Sequence, residues 1–299
     1  MSTTKKVWKR YKADEIEAAI YLVVPSLIGF GLFYFYPALR GLYMSFTDWD
    51  LLTDPNFIGV ANYRRLFSDP RFWNSLRVTA MYVIYNIPIQ TVLGLGIALL
   101  MNQMKNSTTF RAVIVLPWFI PNVVVGLLWL LLLNSTIGLV NQILELLSLS
   151  RIPFLRTVEF ALPSIAGINI WRHMGYVGLV FFAGLQTIPG NLYEAARIDG
   201  ANAWQAFQRI TLPLLRPVIA FIVITTVIGS FQIFDTVAVT TQGGPVNATE
   251  VMIWFIFQHA FERFNMGYGS AASMVLFLIL IIFTLSYVKL SRSGESDLG

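Results

Sequence analysis

Two runs of polar side chains lie inside stretches that are otherwise apolar, and they are where this sequence could do chemistry. One run holds Asn169, Arg172, His173 and Tyr176, and the other holds Thr225, Thr226, Ser230, Gln232 and Asp235. Polar groups are costly at membrane depth, so those that persist there face a cavity, a water path or a neighbouring helix. The chemistry they suit is contact with a polar solute, with Arg172 and Asp235 free either to touch that solute or to pair with each other or with another subunit. His173 reads as a hydrogen-bonded packing residue and not as a metal ligand, because only one other histidine, His259, exists and no carboxylate adjoins it. Asn86 and Gln90 read as bonds between helices. Trp118, Trp129, Trp171 and Trp254 read as interface or packing residues.

The elements that must position these groups are apolar helices. Of 299 residues, 56% are hydrophobic and 12% charged, against about 25% charged in ordinary soluble domains, which excludes a soluble fold. The apolar runs are long and do not alternate, so the backbone groups that lipid cannot satisfy must pair within helices and not within barrel strands. The pattern predicts an all-α integral membrane protein of six transmembrane helices forming a single domain over 1–299. Spans are expected at about 18–43, 76–100, 112–133, 161–186, 217–240 and 267–290. Pro25 and Pro37 fall in the first and Pro88 in the second, where Gly94, Gly96 and Ala98 allow close helix approach.

Basic residues orient the bundle. Lys5, Lys6, Lys9, Arg10, Lys12, Lys105, Arg111, Arg197, Arg209, Arg216, Lys289 and Arg292 fall on one side, and Arg64, Arg65, Arg71, Arg151, Arg156 and Arg263 on the other. The richer side, which carries both termini, is expected to be cytoplasmic. The net charge of +5 is therefore a topology signal and needs no nucleic-acid partner. The basic start is followed by Asp14, Glu15 and Glu17 and then a long apolar run, which predicts a retained anchor and not a cleaved signal peptide. With no cysteine in the chain, disulfides, thiol nucleophiles and Cys-bound metals are excluded.

The least membrane-like stretch of the second half is 188–216, placed in the cytoplasm by this topology. Its first part favours an exposed amphipathic helix whose small side chains leave room for another protein to pack. Gly200 costs about 1 kcal/mol of helix stability relative to Ala, so it marks a turn between two short helices or the close approach of a partner's backbone. Alone, such a stretch could be a connector lying on the membrane surface. The ordered set Glu194-Ala195-Ala196, three residues, Gly200, nine residues, Ile210, one residue, Leu212-Pro213 says more. It resembles the E-A-A-x3-G-x9-I-x-L-P motif of ATP-binding-cassette importer permeases, with every specified position filled. Asn62-Tyr63-Arg64-Arg65-Leu66, Phe110-Arg111 through Leu116-Pro117, and Gly184-Leu185-Gln186 before Ile188-Pro189 are similar to the carbohydrate-uptake branch. Phe234-Asp235 and Thr241-Gln242-Gly243-Gly244-Pro245 resemble its MalF type.

This resemblance implies a type I importer permease fold and a pore-forming subunit that moves a sugar or short oligosaccharide inward. It would be a multi-pass protein of the cytoplasmic (inner) membrane of a prokaryote. Its implied partners are a second six-span permease, two ATP-binding-cassette ATPase subunits and an extracytoplasmic substrate-binding protein, within membrane lipid. Coupling to the ATPase would run through Glu194, Ala195, Ala196, Arg197, Asp199 and Gly200. No G-x-x-x-x-G-K-[ST] phosphate loop is present. The chain is accordingly expected to be no enzyme, with no catalytic or metal residue and no cofactor of its own, ATP and magnesium being held by the partner ATPases. The substrate pathway is expected at Asn169, Arg172, His173, Tyr176, Thr226, Ser230, Gln232 and Asp235. Asn169 and Tyr176 fall on sugar-contacting positions of the maltose permease bearing the same residue type, whereas Ser230 and Ile233 differ from it. Arg172 and His173 stand where that permease is apolar or small. An Asn amide and a Tyr ring suit a neutral sugar, while Arg172 leaves room for a uronate or a phosphorylated cargo. Two other readings compete: a proton-coupled carrier using Asp235 with Arg172, and a membrane enzyme acting on lipid-linked sugar. Asp48, Asp50, Asp54 and Asp69 lack the spacing of a metal motif that such an enzyme would need.

Overall fold

The computed structural model describes residues 20–104 and 108–292, with side chains described as far as Lys289. The basic residues 5–12, the first two residues of the first expected span and Lys105 lie outside them. All described regular elements are helices, apart from one isolated bridge between Thr47 and Phe57. The principal ones, in chain order, are α1 (Ile20–Met44), α2 (Ala61–Phe67), α3 (Pro70–Gln103), α4 (Thr108–Phe119), α5 (Asn122–Leu132), α6 (Leu139–Leu146) and α7 (Val158–Gln186). There follow α8 (Gly190–Ile198), α9 (Ala203–Ala206), α10 (Arg216–Phe231), α11 (Asp235–Thr240), α12 (Met252–Phe257) and α13 (Met266–Arg292).

The chain forms two compact units, one of Met1–Leu66 with His259–Met274 and one of Phe67–Gln258 with Val275–Gly299. In the first, α1 exposes apolar side chains along its whole length, with none buried. Its loops are tied by buried Asn62, whose Nδ2 donates to the carbonyls of Ser45 (3.0 Å) and Thr47 (2.8 Å), and by Arg65 lying over the Tyr268 ring at 4.5 Å.

In the second unit α3 and α7 form the central pair. A Cβ on Gly94 of α3 would run into Val177, and one on Gly178 of α7 would run into Ile97, so bare backbones are what let these helices cross. Gly175 lies so close to the Ile114 carbonyl of α4 that a Cβ there would overlap it. Next to that crossing, Ala98, Met101, Val177, Phe181, Leu185 and Leu215 form one buried cluster; Val78, Tyr82, Leu162, Ile165, Val237 and Trp254 belong to another. α3 begins at Pro70, ahead of the expected span, because Asp69 caps it by accepting from the Arg71 amide at 2.8 Å with proline in the first turn. Arg71 in turn pairs with buried Glu250 and donates to Gln258 Oε1 at 3.1 Å.

Among the described residues four helices are long and apolar enough to cross a membrane: α1, α3, Arg216–Thr240 and Met266–Lys289. The expected third span is not continuous. α4 and α5 meet at a 93° bend and count as a fifth crossing only if taken together. Pro121 is the cause: it sits at φ −54°, ψ 139°, outside the helical region, and disfavours the helical conformation in the residue before it. The expected fourth span is helical over the 29 residues of α7, long enough to cross, but Asn169, Arg172 and His173 at its middle dilute its apolar character. The expected fifth span is interrupted as well. Between α10 and α11 the chain leaves the helix at Gln232–Phe234, with Phe234 at φ −138°, ψ −60°.

Candidate functional site

The two polar runs converge on a cavity of about 340 Å³ within the second unit. Asn169, His173 and Tyr176 reach it from α7, and Thr225, Thr226 and Ser230 from α10; Gln232 enters from the interruption that follows and Asp235 from the first position of α11. The helix period explains the first set, since 169, 173 and 176 share one face of α7. From α3 come Asn86 and Gln90, both buried. The α4–α5 bend supplies Trp118 and Asn122.

Bonds between remote elements fix the wall. Asn86 Nδ2 donates to Ser230 Oγ at 2.9 Å, and Asn169 Nδ2 donates to Asn86 Oδ1 at 3.1 Å. Asn122 Nδ2 donates to Asp235 Oδ2 at 2.9 Å. The Trp118 and Tyr176 rings stack with centroids 4.7 Å apart and planes 10° off parallel. Gln90 Oε1 is buried, with no donor among the described residues.

Arg172 differs from its sequence-based expectation. It is absent from the cavity lining and makes no contact ion pair with Asp235, though it lies near enough to interact with that carboxylate's charge. Its Nε and Nη2 donate to the Ile120 carbonyl at 3.1 and 3.0 Å, and Nη2 also reaches the Trp118 carbonyl at 3.0 Å. These are carbonyls that the bend deprives of their helical partners, at the helix end where a cation is favoured. Its Nη1 donates to His173 Nε2 at 2.8 Å, and His173 Nδ1–H donates to the Asn169 carbonyl at 2.9 Å. The histidine is therefore held as the neutral tautomer. Asn86, Gln90 and Trp118, read from sequence as glue or packing, line the cavity, and Asn122 was not singled out at all. The i, i+4 spacing of Asn86 and Gln90 on one helix face was the available signal; for Trp118 and Asn122 it was their position either side of Pro121.

The other sequence-marked set lies on α8 and its exit. Glu194, Ala195, Arg197 and Asp199 are exposed, and Ala196 is half-buried. Gly200 adopts φ +79°. Its amide donates to the Arg197 carbonyl at 3.1 Å, and the Ala201 amide to the Ala196 carbonyl at 2.8 Å, a Schellman termination in which glycine carries the left-handed residue. Asn202 then caps α9 in a reciprocal box with Gln205 (2.9 and 2.8 Å), and Tyr193 OH shares a hydrogen bond with Thr211 Oγ1 at 2.9 Å. Beside this turn is a hollow lined by Ala196, Gly200, Gln205, Arg209 and Ile210. Ile198 and Trp204 are apolar yet 86% and 62% exposed, a feature the sequence pattern did not single out.

Residues 90–293 match the family model described as binding-protein-dependent transport system inner membrane component. The chain belongs to that family. It is 33% identical to the trehalose/maltose transport system permease protein MalF of Thermococcus litoralis, over 95% of this chain and 96% of the relative. It superposes on a bacterial ABC transporter involved in the import of the acidic polysaccharide alginate with a TM-score of 0.80. Identity there is 26%, covering 96% of this chain and 99% of that one. A structure of bacterial alginate ABC transporter in complex with alginate pentasaccharide-bound periplasmic protein gives a TM-score of 0.78 at 25% identity, covering 96% and 98%. The fold is thus that of a type I ABC importer permease, a multi-pass membrane subunit whose ATP hydrolysis belongs to a separate ATPase subunit. The carrier and membrane-enzyme readings give way to this membership.

Proposed function

We propose that this inner membrane component forms part of the translocation pathway of a sugar importer, and that its cavity is where the sugar passes. One observation carries the reading. The chain breaks its helices at 120–121 and at 232–234, and residues flanking both breaks line the same polar cavity. Irregular backbone at membrane depth is tolerated where it is buried in protein or lines a cavity, so two breaks at one cavity argue for a built solute path. The relatives' names add the cargo class: trehalose and maltose for one, the acidic polysaccharide alginate for others.

In this reading the chain works beside a second permease subunit and two ATPase subunits in the cytoplasmic membrane, with both termini inside and a binding protein delivering sugar from outside. ATP and magnesium bind on the ATPases. The exposed α8, ending in the rigid Gly200 turn, seats on an ATPase and passes its closure to the spans. Glu194, Arg197 and Asp199 make polar contacts, while Ala195 and the half-buried Ala196 leave room for the partner. The exposed Ile198 and Trp204 add apolar surface to the same docking face.

Cells lacking this chain, compared with complemented cells on a panel of carbohydrates as sole carbon source, should lose growth on at least one sugar. Gly200→Arg places a bulky side chain at a positive φ on the docking face, and should abolish that growth while ATP hydrolysis by the isolated complex persists. Undiminished growth with Gly200→Arg would overturn the coupling role, and chain-independent growth on every carbohydrate would overturn the cargo class.

A further inference from the structure

Arg172 carries a charge into a spanning helix, yet it stands outside the cavity lining and in no contact ion pair among the described residues. Charge at that depth is costly and persists where it has a function. Its hydrogen bonds show where that function lies. Nε and Nη2 both donate to the Ile120 carbonyl and Nη2 also to the Trp118 carbonyl, at the break in the third run. Nη1 donates to His173 Nε2. Trp118 and His173 both line the cavity, so the guanidinium sits behind the wall and fixes it at three points: the Trp118 backbone, the end of α4 and the His173 ring. A planar fork of donors can serve all three at once, which the single ammonium of a lysine on its flexible stem cannot do as rigidly.

The hold extends to the second break. α5 starts immediately past Pro121 at Asn122, whose Nδ2 donates to Oδ2 of Asp235, the first residue of α11, at 2.9 Å. One turn further on, Gly126 of α5 meets α11 so closely that a Cβ there would overlap Val239. The half-helices that follow the two breaks are thus joined to each other. The charge of Arg172 also lies near enough to the Asp235 carboxylate to favour the arrangement. A shift at the end of α4 would carry Asn122 with it, and through Asn122 the Asp235 end of the second break.

We infer that Arg172 is a positioning residue for transport, which holds both breaks in place around the cavity without touching the solute. This rests on reading the cavity as the sugar's path and adds the residue that sets the path's shape from behind.

Hydrogen exchange tests the hold without knowing the sugar. The full complex, isolated through a tag on this chain and kept in lipid nanodiscs, is compared as wild type, Arg172→Lys and Arg172→Gln. The amides of Ile120, Gln232 and Ile233 report on the breaks, through bonds of 3.3, 3.2 and 3.3 Å to the carbonyls of Pro117, Gly229 and Ser230. Arg172→Gln should quicken exchange at all three about 10-fold or more, the change that corresponds to losing a buried hydrogen bond, and Arg172→Lys by less. The 190–211 segment, held by its own local bonds, should keep its rate. Quickening at Ile120 alone, or at every helix alike, overturns the inference.

A transport readout separates this role from a merely structural one. The complexes are placed in liposomes with the binding protein and the carbohydrate on which growth depends on this chain. Sugar moved per ATP hydrolysed should fall several-fold in Arg172→Gln and recover in part in Arg172→Lys. That ratio does not depend on how much of the complex is folded, so an unchanged ratio overturns the inference. A switch in which carbohydrates are accepted would mark direct contact with the solute and overturn it too. A wild-type complex that moves no carbohydrate overturns the reading of the cavity as a sugar path, and the positioning role with it.

Discussion

The cavity wall and the 190–211 segment are both polar regions of a largely apolar chain, yet they are held by opposite means. In the cavity the decisive bonds join residues far apart in sequence: Asn86 to Ser230, Asn169 to Asn86, Asn122 to Asp235, and Arg172 to the bend at Ile120. In the segment they are local: Ala201 to Ala196, Gly200 to Arg197, and Gln205 with Asn202. A region built from local bonds keeps its shape when its surroundings move, which suits a lever. A wall built from remote bonds changes shape when any helix shifts, which suits a site that must open and close.

The largest test of this contrast is at the helix crossing behind the cavity. Gly175→Val would force α4 from α7 at the Ile114 carbonyl, and should cost about 3 kcal/mol or more, the upper end of overpacking penalties. The expected result is loss of folded protein in a detergent thermal-shift assay, and a normal melting curve would break the argument that backbone contact sets this wall. Next is Arg172→Met, which strips the donors from the Trp118 and Ile120 carbonyls. A buried acceptor left unmet costs about 1–3 kcal/mol, and these two, on half-buried residues, should cost toward the lower end. The melting temperature should fall clearly, and in a background where the other seven tryptophans are replaced by phenylalanine the Trp118 fluorescence should change as its stack on Tyr176 loosens. Arg172→Lys, which keeps a charge and donors, should recover part of both.

A smaller and strictly local effect is expected in the segment. Asn202→Ala removes the capping box of α9 and should cost about 1 kcal/mol, seen as faster hydrogen exchange at 203–206 with the global melting temperature unmoved. A global shift would show that the segment is tied to the spans more tightly than its bonds suggest. The smallest effect belongs to an exposed pair outside both regions, Arg151 with Glu145, joined by Arg151 Nη2 to Glu145 Oε2 at 2.8 Å. The Arg151 guanidinium holds the Glu145 carboxyl below its ordinary range. A depressed carboxylate contributes fully above the unfolded-state value of about 4.5 and loses that contribution as pH falls through the lower folded value. Hydrogen exchange around 145–152 should therefore quicken only in acid below that range, and high salt at neutral pH should mimic part of the effect. No response to acid would assign that loop's order to Asn141, which bonds the Ile152 amide and carbonyl.

The sequence by itself determined that the chain is helical and membrane-embedded, because long apolar runs leave backbone groups no partner but their own helix. It also narrowed Gly200 to a turn between two short helices or the close approach of a partner's backbone, and the positive φ there shows the turn. Pro121 writes the break of the third run into the sequence, but the tertiary structure alone decided that the fifth run breaks at 232–234 and that both breaks open on one cavity. It decided too that Asn86, Gln90, Trp118 and Asn122 line that cavity, and that Arg172 turns from solute to bare carbonyls. The reason is the reach of the interactions. Propensity and capping act within a few residues and are written in order along the chain, whereas the partners that settle a polar group inside a membrane come from other helices, at separations no local pattern encodes.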